Sequence, residues 1–406
     1  MSYRFVKVTS FYPKFLNSFY SQNPEATSKN YNDQMKILMN TGFGWSDFYA
    51  SHLKELGVQA YEIVANAESL QRAWAVENHS FAKGRDLVLE QLKTLRPQVV
   101  FIQDTPTFNG EWVRQLRDKI PSIKLIFGWI CAPYREDQID LYKPFDTILT
   151  CSEGFQEDLG KLGLSTYCIR HGFEQTLLPR IIENNHFQES DLLFSGSLIP
   201  GSHFHDERIE FLENLLNEKV NVHIHADLEM VDSFKLRAKQ AAFLAAQILK
   251  TCHLENVSKI VPMIDKASQW PQFPEGSHFS RALRQSIHPP LFGVEMLQAL
   301  HKAKISFNMH IEAAKNYAAN MRIFEVTGSG SCLITDWKPN IRDLFEPDKE
   351  IVTYKTEGEC IEKIKWLLAH PQERSAIAEA GQRRCLKDHT YKDRANRLHQ
   401  FILKNL

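Results

Sequence analysis

The sequence of 406 residues lacks several features that would place it in a specialised class. No stretch approaches the ~18 consecutive apolar residues typical of a membrane helix. The N-terminus, "MSYRFVKVTSFYPKF", has no long apolar run of the kind found in signal peptides. The formal charge is −1, without a basic tail or block, which argues against a dedicated nucleic-acid binder. We therefore predict a cytoplasmic protein with no transmembrane segment and no nucleic-acid partner.

Cysteine usage gives no sign of a disulfide framework or a metal site. Seven cysteines are scattered along the chain, and no CxxC pair occurs. An odd number without metal-ligand spacing predicts reduced thiols. We interpret each cysteine as a small buried apolar residue and predict that the protein holds no metal.

Three short motifs of well-known enzyme classes are also missing. The absence of GxxxxGK[ST] excludes a phosphate-binding P-loop, and the absence of GxSxG removes support for a hydrolase nucleophile. No DxD triad occurs, so the chain lacks the paired aspartates with which many sugar transferases hold a cation and a diphosphate.

What the sequence does contain is a regular alternation of apolar runs and helical patterns. A composition of 43% hydrophobic and 24% charged residues is typical of a folded protein. Strands alternating with helices predict a parallel sheet that is covered on both faces. The predicted strands of the first half are 4–10, 60–65, 98–103, 124–130, 146–151 and 166–170.

The pattern restarts in the second half, with strands predicted at 191–197, 221–226, 304–310, 332–335 and 350–355. We predict an α/β fold of two Rossmann-like domains facing a cleft, with ligand at the carboxyl ends of the strands. The predicted domains are 1–172 and 173–385, the second with a helical insert at 227–285. Residues 386–406 are predicted to form a helix that returns to the first domain.

Two glycine-containing segments lie where such a fold binds ligands. "TGFGWSD" (41–47) matches the first two glycines of GxGxxG, Gly42 and Gly44, but has Asp47 at the third position. It is either a plain loop before a helix or a glycine loop that lets a ligand approach a helix N-terminus. "LLFSGSLIPGSHFHDER" (192–208) places Gly196 between a strand and a helix, and we interpret His203 and His205 as solvated loop residues.

The segment "NMRIFEVTGSGSCLIT" (320–335) places an acid, Glu325, inside an apolar helix. An unpaired buried carboxylate is costly. Glu325 therefore either pairs with Arg322 at helical spacing or faces a polar ligand. Gly328 and Gly330 are predicted to end the helix.

The second half resembles a known family. "PPLFGVEMLQALHKAKISFNMH" and "AANMRIFEVTGSGSCLITDWKPNIRDLFEPDKEIVTY" resemble the glycosyltransferase-like family named for the spore-maturation protein CgeB. The closing "LLAHPQERSAIAEAGQRRCLKDHTYKDRA" is similar to the same family, so the resemblance covers residues 289–395 closely. It implies the GT-B architecture of group-1 glycosyltransferases, with a nucleotide-sugar donor on the C-terminal domain and an acceptor on the N-terminal one.

The resemblance also implies roles for individual residues. Glu325 occupies the position of a glutamate that accepts hydrogen bonds from the donor ribose. Tyr317 replaces a second glutamate of the wider group. Gly196 and Ser197 match the loop near the diphosphate, where Ser197 replaces an arginine.

Other groups must then meet the diphosphate charge. The candidates are Arg322, Asn320 and the helix amides around them, with Gly328 in the same donor-binding set and Arg208 as a further candidate.

The resemblance implies transfer of a sugar from a nucleotide diphosphate to a glycan, lipid-linked or protein acceptor. We predict that no cofactor and no metal are needed. Asp104, after a predicted strand, is either the general base of an inverting reaction or a turn residue. His171 either lines the cleft or packs.

Two other functions fit the same sequence features. One is a nucleotide-sugar epimerase or hydrolase, which would consume donor without acceptor. The other is a non-catalytic binding or coat-assembly protein, which the replacements at Tyr317 and Ser197 would allow.

Overall fold

The computed structural model describes residues 3–132, 134–183, 186–199, 205–228, 233–252, 254, 261–268, 270, 273, 279–310 and 316–406. His203 and several parts of the predicted insert at 227–285 lie outside these residues. The strands are β1 Arg4–Thr9, β2 Gln59–Val64, β3 Val99–Ile102, β4 Leu125–Ile130, β5 Thr147–Thr150, β6 Thr166–Cys168, β7 Ser190–Leu198, β8 Val222–Leu228, β9 Ile287–His288, β10 Ala303–Asn308, β11 Cys332–Asp336 and β12 Val352–Tyr354.

The helices of the first half are α1 Pro13–Gln22, α2 Tyr31–Asn40, α3 Phe48–Glu55, α4 Glu68–Glu77, α5 Gly84–Leu95, α6 Gly110–Lys119, α7 Glu153–Lys161 and α8 Leu178–Ile182. Those of the second half are α9 Asp206–Asn217, α10 Ser233–Thr251, α11 Pro262–Ser268, α12 Arg281–Ser286, α13 Gly293–Lys302, α14 Met321–Ser329, α15 Ile341–Leu344, α16 Glu357–Ala369, α17 Pro371–Asp388 and α18 Tyr391–Asn405.

The first sheet has the strand order β2-β1-β3-β4-β5-β6, and its paired strands are parallel. The strands β3, β4 and β5 are buried along their whole length, as expected for a sheet covered on both faces. The direction of the strand order reverses between β1 and β3. Their carboxyl ends therefore flank the position at which open α/β sheets bind ligands.

The second sheet has the order β12-β11-β10-β7-β8-β9. The prediction of an α/β fold with two parallel sheets and flanking helices is confirmed. The two-residue strand β9 was not predicted, because Ile287–His288 has too few residues to show a periodic pattern.

The chain divides into two compact units, Met1–Leu193 with Leu291–Leu406, and Phe194–Pro290. The predicted domain boundaries at residues 172 and 385 separate the two Rossmann-like domains and do not coincide with the limits of these units. These boundaries remain a prediction. In the smaller unit, α10 and α11 pack through the buried alanines Ala242, Ala246 and Ala267.

The last helix, α18, closes on residues of the first sheet and of α3. It begins with a capping box, in which the Thr390 side chain and the Asp393 carboxylate each bond the other's backbone N–H. Phe401 stacks on Tyr167 of β6, and Tyr391 contacts α3. The backbone just before α18 pairs with the segment after β6, because Phe173 N–H donates to His389 O and Tyr391 N–H donates to Phe173 O.

Among the described residues, no helix combines the length and the apolar character that crossing a bilayer requires.

Candidate functional site

The carboxyl ends of β10 and β11 carry a connected set of polar side chains. The Asn308 amide donates to Thr335 Oγ1 at 2.8 Å, and the Asn320 amide donates to Asn308 Oδ1 at 2.7 Å. One Asp336 oxygen lies 2.7 Å from His310 Nδ1 and accepts the His310 backbone N–H at 2.9 Å. The sequence analysis did not single out His310, which has no motif around it.

Two buried polar atoms at this edge have no hydrogen-bond partner among the described residues: His310 Nε2 and Asn320 Oδ1. Burial alone would raise the pKa of Asp336, but His310 and Lys338 hold it well below its ordinary value. A group that bound here would satisfy atoms whose burial otherwise costs free energy.

The helix α14 begins at the same edge. Its N-cap residue is Asn320, whose side chain makes no capping hydrogen bond because it is turned to Asn308. The first backbone N–H groups of α14 therefore have no side-chain cap. Free amides and the helix dipole together favour an anion at such a position.

One helical turn further on, Arg322 and Glu325 form the ion pair that one of the two sequence interpretations predicts. Arg322 Nη1 lies 2.9 Å from Glu325 Oε2, and Arg322 also contacts Met296 Sδ. Glu325 is 9% exposed. Its other oxygen, Oε1, lies 3.5 Å from the point that a Cβ atom on Gly44 would occupy. The ion pair thus engages one carboxylate oxygen. The other oxygen faces residues 41–47, which we call the glycine loop.

Tyr12 completes this group and was missed by sequence analysis, since nothing around it forms a motif. Its ring contacts Phe43 and Trp45 of the glycine loop. Half of the residue is exposed, yet burial of the hydroxyl and the nearby Glu325 carboxylate raise its pKa. The Tyr12 ring therefore packs on the glycine loop, and its hydroxyl lies near Glu325.

The glycine loop leads into α3, as predicted. Steric constraints explain why both of its glycines lack a side chain. Gly42 has φ +64°, and a Cβ atom there would lie 3.0 Å from both Leu177 and Val294. A Cβ atom on Gly44 would lie 2.3 Å from Cε of Met321, the first residue of α14. Gly44 thus permits close approach to the start of α14, and Gly42 is required by the backbone conformation and by packing.

The loop is held from two sides. Lys7 of β1 donates to the carbonyl oxygens of Trp45 and Ser46 at 3.1 and 2.9 Å. The Tyr391 hydroxyl donates to Gly44 O at 3.2 Å. Lys7 also lies 3.3 Å from Glu62 on β2, where burial raises the carboxyl pKa to about 8 although Lys7 opposes the shift.

Asp104 follows β3 at the reversal point of the first sheet. Ser10 Oγ, just after β1, donates to Asp104 Oδ2 at 2.5 Å, and Thr107 N–H donates to Oδ1 at 3.1 Å. Both carboxylate oxygens thus accept a hydrogen bond from a neighbouring loop. These contacts are those of a turn residue, and the role of Asp104 as a general base stays a prediction.

His171 follows β6 and packs its ring against Trp129. Its carbonyl accepts a hydrogen bond from Arg394 Nε at 3.0 Å. Burial, together with the nearby Arg394 cation, lowers the pKa of His171 to about 4, so the imidazole is neutral at physiological pH.

The expectation that every cysteine is a reduced thiol is wrong for two of them, since Cys131 and Cys151 form a disulfide with their Cα atoms 5.5 Å apart. They come directly after β4 and β5, whose register pairs Ile130 with Thr150 and so places the next residues side by side. A separation of 20 residues gives no such signal in the sequence. The remaining described cysteines, Cys168, Cys252, Cys332, Cys360 and Cys385, are free.

In the smaller unit, Gly196 and Ser197 lie at the end of β7. The Ser197 carbonyl accepts hydrogen bonds from His205 Nδ1 at 2.9 Å and from Arg208 Nη1 at 3.2 Å. The Arg208 guanidinium also lies over the ring of Phe194. The structure thus turns Arg208 toward the strand end, and burial with Arg208 nearby lowers the pKa of His205.

Gly328 lies within α14, which ends one residue later at Ser329 and has Gly330, with φ +86°, as its C-cap. A Cβ atom on Gly328 would meet the Phe173 ring at 2.2 Å. This contact gives Gly328 a packing role. Tyr317 likewise packs on Gly154, the second residue of α7.

The fold is that of the GT-B glycosyltransferases. The chain is similar over 100% of its length, at 10% identity and a TM-score of 0.55, to a glycosyltransferase from Rickettsia africae, of which 98% is covered. It is similar at 9% identity and a TM-score of 0.54 to sucrose-phosphate synthase from Thermosynechococcus elongatus, covering 99% of this chain and 98% of that one. Anabaena HepE in complex with UDP-glucose gives 8% identity and a TM-score of 0.57, covering 99% and 100%.

Residues 208–400 match the model of a family described as glycosyl transferase-like. These residues include α14 with Glu325 and both of its neighbouring strands. No curated protein sequence matches the chain.

Proposed function

We propose that this protein is a glycosyltransferase of the CgeB-like type, which transfers a sugar from a nucleotide diphosphate to an acceptor. The observation that carries the proposal is the polar start of α14. There, an acid with one oxygen directed at the glycine loop (41–47) lies next to a helix N-terminus without a side-chain cap. Two buried polar atoms beside it, His310 Nε2 and Asn320 Oδ1, have no partner within the described part of the chain. The GT-B fold and the glycosyl transferase-like match support it.

The proposed division of work follows from charge. A ribose diol offers two O–H donors, and Glu325 accepts through the oxygen that Arg322 leaves open. The diphosphate lies against the first amides of α14, with Asn320 and His310 beside it. His310 Nδ1 faces the ionised Asp336, which leaves Nε2 as the ring nitrogen available to a bound group.

We also propose that the donor binds without a divalent cation. Helix amides and Arg322 provide the positive potential that paired aspartates and a cation provide elsewhere. Asp104 is the proposed base if the reaction inverts configuration, and it needs the acceptor hydroxyl within hydrogen-bond reach to act. In a retaining reaction, stabilisation of the leaving diphosphate suffices.

The first test is direct binding. Uridine diphosphate is the first probe because Anabaena HepE binds UDP-glucose, followed by guanosine, cytidine and thymidine diphosphates. Titration calorimetry in the presence of a chelator should give a 1:1 complex with one of them. His310→Ala should weaken that complex, and His370→Ala, on the exposed end of α16, should leave it unchanged. If no nucleotide binds, the proposal is wrong.

The second test separates the alternatives. Donor is incubated alone and then with a mixture of glycan, lipid-linked and protein acceptors, and the products are identified. Turnover of donor alone to an epimer or to free sugar would assign an epimerase or hydrolase. Binding without turnover under both conditions would assign a non-catalytic protein.

A further inference from the structure

Three side chains that have no role in the proposed transfer reaction come together at the carboxyl ends of β4, β5 and β6. Cys131 follows β4, Cys151 follows β5 and His171 lies three residues after β6. One ligand atom from each lies within 4.8 Å of the other two. We propose that, once the Cys131–Cys151 disulfide is reduced, these three residues bind a divalent cation of the zinc type.

The distances suit such an ion. Zinc binds thiolates at about 2.3 Å and imidazole nitrogen at about 2.0–2.1 Å, so the ligand atoms of a tetrahedral site lie about 3.3–3.8 Å apart. Three atoms that already lie within 4.8 Å of one another reach this arrangement when the two sulfurs separate and the imidazole moves slightly inward. The register of β4 and β5 holds the two cysteines side by side in either state.

The third residue is the reason to propose a metal rather than a disulfide alone. A disulfide between Cys131 and Cys151 needs no imidazole beside it. The ring nitrogens of His171 have no hydrogen-bond partner among the described residues, although its carbonyl and the face of its ring are both engaged. Two thiolates and a neutral imidazole are a ligand set that zinc favours, and a solvent molecule completes the fourth position.

Two of the three residues are not fully enclosed. Cys131 and His171 are partly exposed, whereas Cys151 is buried.

A thiol or phosphine reductant converts the Cys131–Cys151 disulfide into the two thiols that the metal site needs. The reductant supplies two electrons, and two protons are taken up, so that the disulfide becomes two thiols. Metal binding then releases those two protons as both sulfurs become thiolates. The oxidised form cannot bind the metal through the same atoms, so the disulfide and the metal complex are mutually exclusive.

Cobalt(II) is the probe, because tetrahedral thiolate complexes of this ion absorb visible light and zinc displaces it. The full chain is reduced with a phosphine, desalted without oxygen and titrated with cobalt(II). We expect one ion per chain, with visible bands and a near-ultraviolet thiolate-to-cobalt band, all lost on addition of zinc. Cys131→Ser and Cys151→Ser should each remove the thiolate spectrum, whereas Cys252→Ser, an exposed thiol on another unit, should not change it.

His171→Asn tests the third ligand. It should keep both thiols and weaken cobalt binding by about a hundredfold, because it removes a direct ligand where loss of a supporting residue alone costs about 10–100-fold. Unchanged affinity in this variant would overturn the three-ligand site.

A second measurement does not depend on the folding of any variant. Zinc should protect the partly exposed Cys131 of the reduced wild-type chain from alkylation, as read by mass spectrometry of its peptide, with the exposed Cys252 as the unprotected internal control. Alkylation of Cys131 to the same extent with and without zinc, or no tetrahedral cobalt spectrum in the reduced wild type, would leave this pair a plain disulfide.

Discussion

Arg322 and Glu325 form an ion pair at 2.9 Å within one turn of α14, and only one oxygen of the carboxylate takes part. The other oxygen faces Gly44 across the glycine loop. The acid inside an apolar helix therefore has a structural partner and an open side. This arrangement makes the two roles separable by mutation.

The first prediction concerns Glu325→Gln, which keeps the shape but replaces one acceptor oxygen with a donor. If the open oxygen binds ribose, nucleotide affinity should fall by about 2–4 kcal/mol, since each charge-assisted hydrogen bond is worth about 1.5–3 kcal/mol. That loss is roughly thirty- to a thousandfold in Kd. Titration calorimetry with the nucleoside diphosphate measures it.

Arg322→Met is the companion variant: it breaks the same ion pair, leaves the carboxylate in place and removes only the share of positive potential that Arg322 contributes. We expect it to affect thermal stability at least as much as Glu325→Gln, with a smaller effect on nucleotide affinity. A normal affinity in Glu325→Gln, together with a clear loss of stability in both variants, would make the acid purely structural.

The second prediction concerns the glycine loop. Gly42→Ala should destabilise the fold by about 1–3 kcal/mol, because a side chain at φ +64° is strained and meets two packed neighbours. Gly44→Ala should cost less stability, because the group it meets is the flexible end of Met321. Its effect should fall on nucleotide binding instead, since Met321 begins α14.

The double variant Gly44→Ala/Met321→Ala removes the colliding methyl group and is the control for that interpretation. Recovery of nucleotide affinity in the double variant is the expected result in titration calorimetry. Failure of Gly44→Ala to change affinity at all would show that the close approach at this position has no part in binding.

The third prediction concerns Lys7 and Glu62, which face each other between β1 and β2. Lys7→Met removes the cation beside Glu62, whose carboxyl, with a pKa raised by burial to about 8, is mostly protonated at neutral pH. It also leaves the Trp45 and Ser46 carbonyls without their donor, and the loss should be about 1–3 kcal/mol, the cost of unsatisfied buried polar groups. Lys7→Met/Glu62→Gln should recover part of this loss. Urea unfolding at neutral pH gives the coupling energy, and simple additivity of the two single variants would contradict a direct interaction.

The fourth prediction is a pH dependence that arises from His52 on α3 and Glu174. His52 Nε2 lies 2.9 Å from Glu174 Oε2. The hydrogen bond that His52 donates to the Glu174 carboxylate raises the pKa of His52, although burial opposes the shift. Burial would raise the pKa of Glu174, but the hydrogen bonds from His52 and Thr176 bring it below its ordinary value.

The directions of the two pKa shifts define the pH range in which the ion pair stabilises the fold. A raised histidine pKa contributes stability below about pH 6.5, which is lost as the pH rises through the folded value. A lowered glutamate pKa contributes stability above about pH 4.3, which is lost as the pH falls through the folded value. The free energy of unfolding of wild type relative to His52→Gln should therefore be greatest between these two values. Glu174→Gln should reduce the same pH dependence to the smaller part that Glu55, 3.4 Å from His52 Nδ1, contributes. A pH-independent difference between wild type and His52→Gln would contradict the ion pair.

The sequence predicted the strands well because continuous apolar runs such as "VVFI" and "LIFGWI" allow few other structures in a buried parallel sheet. The position of Glu325 was equally readable, since helical spacing alone pairs it with Arg322. Tyr12 and His310 could not be found in this way. Each reaches the site through tertiary packing, and neither has neighbours in sequence that carry a pattern.

The cysteine pair shows the same limit from another side. Cys131 and Cys151 become neighbours only through the register of β4 with β5, and a register is a property of two strands together. Lys7 is a similar case. The role of a lysine inside a buried strand could not be predicted, because its acceptors, the Trp45 and Ser46 carbonyls, approach it only in the folded structure.

The backbone pairing of Phe173 with residues 389–391 has a consequence for how the chain is made. Its two sides are separated by roughly 200 residues of sequence, which take on the order of 10–40 s to synthesise at about 5–20 residues per second. During that interval the surface of α3 that contacts α18 has no cover, and the Gly44 carbonyl has no Tyr391 hydroxyl to bind. The glycine loop (41–47) thus reaches its final form only after α18 has been synthesised, and until then the face of α3 that α18 covers stays exposed.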